Sequence, residues 1–189
     1  SSDWSSDVCS SDLALAGKDT VENVFGSIMI LIERPFRLND WIITNSIEGR
    51  VEHVGMRSTR IRTFYNSLIT VPNSQFITSP VDNMGRRQFR RLKVMISIAY
   101  DTPPEKIVAF TEGIQELVRL HPRTRKDFYH VRLHDLGAAS LNILLYVFFV
   151  TQEYGEELEA REQLFLDIIR LAKKLKVEFA FPTQTLYMR

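Results

Sequence analysis

Cysteine is nearly absent from this sequence of 189 residues, since Cys9 is the single one. No disulfide can therefore form within one chain, which fits a reducing compartment. Long apolar runs are missing as well. Ile28–Ile32 is closed off by Glu33 and Arg34, and the longer run that ends at Phe148–Val150 is typical of a buried strand. Because a membrane-spanning helix needs about 20 apolar residues, the sequence predicts no membrane span.

The chain also lacks an excess of charge. Its 24 lysines and arginines balance 23 acidic residues, for a formal net charge of +1. Bulk charge therefore argues neither for nor against a nucleic-acid partner. Hydrophobic residues make up 44% of the chain, which is enough for a packed core in one large or two small domains.

Catalytic motifs are a third absence. The sequence contains no glycine-rich phosphate-binding loop and no strand–serine–helix elbow. Without a cysteine cluster beside them, the histidines predict no metal site and are expected on the surface. They are His53, His121, His130 and His134. Acidic residues near the C-terminus indicate a solvated helix face rather than paired catalytic carboxylates: Glu156, Glu157, Glu159 and Asp167. The sequence therefore predicts no enzyme, no metal and no cofactor.

Residues 1–13 repeat Ser-Ser-Asp at positions 1, 5 and 10 and show no apolar period. The composition predicts a disordered, dispensable tail. The stretch also resembles translated adapter sequence, so we interpret it, with Cys9, as non-native.

Residues 14–36 have the pattern of one helix. Apolar residues fall on one side at helical spacing: Val21, Val24, Phe25, Ile28, Met29, Leu31 and Ile32. The other side carries Asp19, Glu22, Asn23, Ser27 and Glu33, with Ile30 as the exception. Arg34 should end the helix, because the residue before proline avoids the helical region. The apolar stripe has no evident partner within the chain, so we expect it to pack on neighbouring subunits or lipid.

Residues 37–87 contain several short strand patterns, which suggest a small, strongly bent barrel. Strands are expected at 41–44, 50–54, 60–63 and 68–71. In the segment Gly55–Phe76, Asn73 is predicted to cap a single helical turn.

Residues 88–189 give the order β-α-β-β-α-β, the ferredoxin-like arrangement of two helices on one face of a four-stranded sheet. Thr102 and Glu105 predict a capping box at the first helix. The second helix is expected over 156–176, and the last strand over Thr183–Met188. The predicted fold class is α+β: an N-terminal helix, a small β barrel and a ferredoxin-like domain.

Five stretches resemble the small-conductance mechanosensitive channel (MscS) family, whose members are homo-oligomeric membrane channels that open under bilayer tension. These stretches are residues 18–42, 55–76 (ending in VPNSQF), 99–102 (AYDT), 131–143 and 181–185 (FPTQT). The resemblance implies the end of a pore-lining helix at 14–36, an Sm-like β domain at 37–87 and the family's C-terminal α/β domain at 88–189. It also implies a homo-oligomer, a heptamer in the full-length protein, that conducts inorganic ions.

By the same resemblance, Leu15 matches an apolar ring that constricts the pore, and Asn23 matches a polar position that contacts the β domain. The resemblance further implies contact with the lipid bilayer through helices upstream of this sequence, and an inner-membrane location with this part on the cytoplasmic side. Lys18 and Asp19 stand where the family's best-known members have small or neutral residues, which leaves the gating properties open.

Two basic clusters allow three interpretations. The first is Arg57, Arg60 and Arg62; the second is Arg86, Arg87, Arg90, Arg91 and Lys93. In the first interpretation, the clusters are solvated faces paired with Glu48 and Glu52. In the second, they form a positive field that enriches anions near an ion path, and in the third they contact RNA. The neutral overall charge and the lack of aromatics beside the arginines weigh against RNA, so no nucleic acid is expected. The alternative to a channel is a soluble Sm-like and ferredoxin-like binding module, with RNA as one partner it could take.

Overall fold

A computed structural model describes residues 4–151 and 153–181, with side chains from residue 17 onward. The chain divides into two compact units, with the boundary between Arg87 and Gln88.

The first unit begins with a long helix, α1, which spans Trp4–Glu33. It therefore includes residues 4–13, which the sequence pattern assigns to a disordered tail. No glycine or proline lies between Trp4 and Leu13, so the serines and aspartates there lower helix propensity only modestly. The predicted end of the helix is confirmed. Arg34 turns to a left-handed conformation with φ of 48°, and its N–H donates to the Ile30 carbonyl at 3.1 Å.

A five-stranded antiparallel sheet follows α1, in the order β4-β3-β2-β1-β5. The strands are β1 Trp41–Thr44, β2 Ile47–Val54, β3 Ser58–Thr63, β4 Leu68–Pro72 and β5 Val81–Asn83. A one-turn helix, α2 (Gln75–Thr78), joins β4 to β5, and a 3₁₀ turn, Met84–Arg86, follows β5. A bulge in β2 between Val51 and His53 bends the sheet. Its buried core consists of Ile30, Phe36, Ile42, Val51, Ile61, Val71 and Phe76.

The second unit places two helices on one face of a three-stranded antiparallel sheet. Its elements are β6 Arg90–Ile98, α3 Pro104–Leu120, β7 His130–Leu136, β8 Leu141–Phe149 and α4 Tyr154–Leu175, with the strand order β6-β8-β7. Phe179 forms an antiparallel bridge with Ile98 along the other edge of β6. The predicted strand Thr183–Met188 lies outside the described residues. The predicted α+β class is confirmed.

The second unit has the larger apolar core. Every other residue of β8, from Leu141 to Phe149, is buried, and Phe110 and Ile114 of α3 and Leu164 of α4 are fully buried. The alternation along β8 follows from the period of two of a strand with one covered face.

Both predicted helix caps are wrong. The Asn73 side chain makes no cap to α2, which is preceded by Ser74, and bonds instead to groups far away in sequence. The Thr102 hydroxyl donates to the Ala99 carbonyl at 2.7 Å, and α3 is preceded by Pro103 without a side-chain cap.

Candidate functional site

The polar face of α1, rather than its apolar face, packs against the β domain. Asn23, Gly26, Ser27 and Ile30 are the buried residues of the described part of the helix. They recur at the spacing of one helical face. Ile30, the exception in the sequence pattern, is the apolar residue that joins the β-domain core. A mainly polar stripe therefore fixes how α1 sits on its own unit.

Gly26 brings the two backbones into close contact. A Cβ atom at this position would lie 2.5 Å from both the carbonyl carbon and oxygen of Asn73, and 2.9 Å from the Ser74 nitrogen. All three are backbone atoms, which cannot rotate away as a side-chain tip can. Glycine is needed here for close approach and not for its φ angle.

Asn73 lies at the centre of the contact and is completely buried. Its Nδ2 donates to the Ser27 hydroxyl at 2.8 Å and to the Gly55 carbonyl at 2.8 Å, while its Oδ1 accepts from the Thr59 hydroxyl at 2.8 Å. One side chain thus joins α1, the β2–β3 connection and strand β3. Because each amide group has a partner, its burial carries little desolvation cost.

Ser27 and Asn23 complete the network from the helix side. The Ser27 hydroxyl lies against the carbonyls of Asn23, at 3.0 Å, and Met56. The Asn23 Oδ1 accepts from the Ser74 N–H at 3.1 Å, and its Nδ2 donates to the Asp19 carbonyl at 2.8 Å. Asn23 therefore contacts the segment between β4 and α2. We call the set Asn23, Gly26, Ser27, Thr59 and Asn73 the junction.

A second set of hydrogen bonds holds the segment that follows α1. The Asn83 Nδ2 donates to the Pro35 carbonyl at 3.0 Å and to Asp40 Oδ2 at 2.7 Å. The Arg86 guanidinium donates to the Arg34 carbonyl at 2.6 Å. The C-terminal end of α1 is thereby tied to β5 and the turn after it.

The apolar stripe of α1 is exposed within this chain. The exposed fraction is 53% for Val21, 59% for Phe25 and 73% for Ile32, and Ile28 and Met29 are exposed as well. A contiguous apolar surface of this kind marks a site that another molecule or lipid covers. The structure describes no helix that is both long and apolar enough to cross a bilayer.

The other predicted site residues lie in different environments. Leu15 lies within α1, but its side chain lies outside the described residues. Arg86 and Arg91 are exposed, and Arg87 is half-buried with its guanidinium 4.7 Å from the centre of the Trp41 ring. Arg90 does not fit the prediction of an exposed charge on an ion path. It is buried, and its guanidinium donates to Glu157 at 2.9 Å.

Two residues of the second unit that were predicted to be exposed are buried. Glu157 is buried and bonded to both Arg90 and Arg161, because the two guanidinium groups compensate its charge. His121 is buried at the end of α3, where burial, with a smaller effect of the nearby Lys126, lowers its pKa. Within the part of the chain that the structure describes, no group of three or more His, Cys, Asp or Glu side chains could hold a metal ion.

Sequence reasoning missed Gly26, Ser27 and the role of Asn73. The available signal was the glycine–serine pair on the polar side of an amphipathic helix, which indicates a close helix contact. Its partner segment, VPNSQF, lies more than forty residues away, as the Ser27–Asn73 separation of 46 shows.

Comparison with known proteins defines the class. Residues 19–86 match the family description "Mechanosensitive ion channel, beta-domain", and residues 92–179 match "Mechanosensitive ion channel MscS, C-terminal". The first match covers the junction and the β domain. The second covers β6 from Leu92 onward and all of α3, β7, β8 and α4.

Two curated relatives are named as mechanosensitive channels. The chain is 41% identical over 176 residues to the small-conductance mechanosensitive channel MscMJ of Methanocaldococcus jannaschii, covering 93% of this chain and 50% of that protein. It is 37% identical over 179 residues to the low conductance mechanosensitive channel YnaI of Escherichia coli, covering 93% of this chain and 52% of that protein. The chain thus spans about half the length of these relatives.

Solved structures share the fold. Arabidopsis thaliana MSL1 matches with a TM-score of 0.84 at 23% identity, over 94% of this chain and 64% of that one. Closed-state Helicobacter pylori MscS matches with a TM-score of 0.80 at 20% identity, over 100% of this chain and 75% of that one. The chain belongs to the MscS family of mechanosensitive channels.

Proposed function

We propose that this chain supplies the end of the pore-lining helix and the cytoplasmic domains of an ion channel that opens under membrane tension. The observation that carries the proposal is the division of α1 into two faces. Its polar face is bonded to the β domain, and its apolar face is exposed within one chain. Such a helix has its own domain on one side and needs apolar neighbours on the other.

Those neighbours are copies of the same helix and the lipid bilayer. In the proposed assembly, seven copies of α1 surround one pore, and helices upstream of this sequence cross the inner membrane. The two folded units then lie on the cytoplasmic side and surround the path of inorganic ions. Ala14, Ala16 and Gly17 would let neighbouring helices approach closely, as small residues do in membrane proteins.

The junction is the proposed link between the pore helix and the cytoplasmic domains. Because Asn23, Ser27 and Asn73 bond α1 to two parts of the β domain, a tilt of α1 either moves the β domain with it or breaks those bonds. Asn23 takes the coupling role that the family resemblance implies.

Leu15 is the proposed gate residue. A ring of leucines, one from each copy, would narrow the pore and stop ions by excluding water. Arg86 and Arg91, both exposed, are the proposed ion-path charges, together with the half-buried Arg87. Arg90 is left out of this set because Glu157 compensates it.

A chimera tests the proposal. The matching half of MscMJ from M. jannaschii is replaced with residues 14–189 of this chain, and currents are recorded from reconstituted patches under suction. We expect tension-activated currents. Leu15→Ser should lower the opening tension, and glutamate at both Arg86 and Arg91 should shift the reversal potential toward cation selectivity.

The control is unaltered MscMJ in the same membranes. A chimera that assembles and reaches the membrane but never opens would contradict the channel proposal and favour a binding module. An unchanged threshold in Leu15→Ser would place the gate elsewhere in the helix. An unchanged reversal potential in the arginine variant would return these charges to the solvated surface.

A further inference from the structure

The sheet of the second unit has one covered and one open face. Helices α3 and α4 cover the face that carries Ile143, Leu145 and Val147, which are fully buried. The alternate residues of β8, including Tyr146 and Phe148, lie on the other face and are only half-buried. Within the described part of the second unit, no helix or strand packs across this second face, which we call the open face.

Aromatic rings form a continuous cluster on the open face. Tyr146 and Phe148 lie 5.4 Å apart between ring centroids, and Phe128 lies 6.2 Å from the first and 5.8 Å from the second. His130 adds a ring 5.0 Å from Phe128, and Phe89 adds one 6.4 Å from Phe148. Phe128 and His130 are exposed, so the cluster offers aromatic surface to solvent.

Cations border this cluster on both sides. Arg91 and Lys93 of β6 stand directly across the strand pair from Phe148 and Tyr146. Residues directly opposite in an antiparallel pair share a face, so both charges lie beside the rings. On the β7 side, Arg132 stands across from Leu144. All three side chains are exposed.

A fourth cation, Arg125, completes the border. Its guanidinium lies 4.4 Å from the Phe89 ring centre and 5.9 Å from that of Phe128. Arg125 donates two hydrogen bonds of 2.6 Å to Asp127, so these two charges compensate each other and the positive excess comes from Arg91, Lys93 and Arg132. Asp135 stands across from Asn142, toward the opposite end of the sheet. The rings are therefore surrounded by more positive than negative charge.

We propose that the open face binds a free nucleoside phosphate. The base would stack on the Tyr146 ring, and the rings of Phe128 and Phe148, inclined to Tyr146 by 77° and 78°, would line the edges of the base. The phosphates would meet Arg91 and Lys93. Aromatic side chains on the open sheet of a ferredoxin-like domain stack nucleic-acid bases in the same way, and arginine and lysine supply the phosphate contacts. Stacking aromatics thus lie beside an arginine, which the sequence alone does not reveal. The site belongs to the second unit and the junction to the first, and this inference does not depend on the channel proposal.

Calorimetric titration of the whole chain, in mild detergent, tests this site. The probes are ATP, AMP, inorganic phosphate at matched ionic strength, and a single-stranded RNA of ten nucleotides. Tyr146→Leu removes a stacking ring and should weaken ATP binding by about tenfold, whereas Tyr146→Phe keeps the ring and should leave it unchanged. Arg91→Gln should weaken binding and reduce its dependence on salt.

The matched control is Arg170→Gln, which removes an exposed arginine on α4, the helix that packs on the covered face. It should bind ATP as the unaltered chain does. If phosphate binds as strongly as ATP and Tyr146→Leu leaves ATP binding unchanged, the binding is nonspecific charge attraction and the proposal is overturned. RNA that binds far more tightly than ATP would reassign the face to single-stranded RNA. ATP binding that disappears in the assembled channel would make the face a contact between copies.

Discussion

The two units hold their helices in opposite ways. In the first unit, α1 contacts the sheet through hydrogen bonds of Asn23, Ser27 and Asn73 and a backbone contact at Gly26, with Ile30 as its apolar anchor. In the second unit, α3 and α4 bury a broad apolar face against β6 and β8. A hydrogen bond contributes about 1 kcal/mol net, whereas a buried leucine or phenylalanine contributes about 1.5–3 kcal/mol.

This difference suits the two units to different movements. Water can replace hydrogen bonds when α1 shifts, so the junction can change partners at moderate cost. The helices of the second unit cannot shift without exposing apolar surface. We therefore expect the second unit to move as a rigid body and α1 to be the adjustable part.

Both tryptophans, Trp4 and Trp41, lie in the first unit, so their fluorescence follows that unit alone.

Phe110→Ala should have the largest effect. Phe110 is fully buried between α3 and the sheet, so its removal leaves a cavity and should lower the free energy of unfolding of the second unit by about 3–5 kcal/mol. Peptide-resolved hydrogen exchange over α3 measures the loss. Val108→Ala, at an exposed site on the same helix, is the control and should change little. Equal loss of protection in β1–β5 would show that the two units unfold together.

Arg90→Met should have the second largest effect on the free energy of unfolding. It leaves Glu157 buried with Arg161 as its remaining cationic partner, which should cost about 3 kcal/mol because an incompletely compensated charge stays in the core. The double variant Arg90→Met with Glu157→Leu should recover most of that loss. Urea unfolding followed by circular dichroism provides the measurement. A double variant as unstable as the single one would mean that the ion pair itself, rather than its compensation, stabilises the unit.

Gly26→Ala compares directly with Gly17→Ala. A Cβ atom at Gly26 overlaps the Asn73 backbone, so α1 must move and the first unit should lose about 1–3 kcal/mol. A Cβ atom at Gly17 has no atom within 4 Å, and alanine in the interior of a helix should stabilise it by about 0.5–1 kcal/mol. Tryptophan fluorescence during urea unfolding measures both. Two variants of equal stability would mean that α1 is not closely packed at Gly26.

The sequence predicted what depends on local periodicity. The end of α1 at Arg34, the strands β1 to β4 and β6 to β8, and the helices α3 and α4 follow from apolar spacing and from proline, whereas the short strand β5 was not predicted. The contacts of Asn73 could not be predicted, because its partner Ser27 lies 46 residues away and nothing local distinguishes a capping asparagine from a bridging one. Burial of Glu157 was missed for a similar reason. Its charge predicts exposure unless Arg90, 67 residues away, is known to be beside it.

The smallest expected effect is a pH dependence confined to the second unit. Burial, with a smaller effect of Lys126, lowers the pKa of His121 below its ordinary value of 6.5 in the folded chain. The unfolded chain then takes up a proton more readily than the folded one. Stability should therefore be highest above the unfolded pKa, fall as the pH drops through about 6.5, and level off below the folded pKa.

Urea unfolding at pH about 7.5 and about 5.5, on either side of the ordinary histidine pKa, measures this effect through hydrogen exchange over α3. His121→Gln should remove the His121 part of the difference between the two pH values. His134→Gln, at an exposed position on β7, is the matched control and should retain it. A pH dependence that survives in His121→Gln would mean that another group causes it. A loss that appears equally in tryptophan fluorescence would show that the titration reaches the first unit, and the two units would then not respond to acid independently.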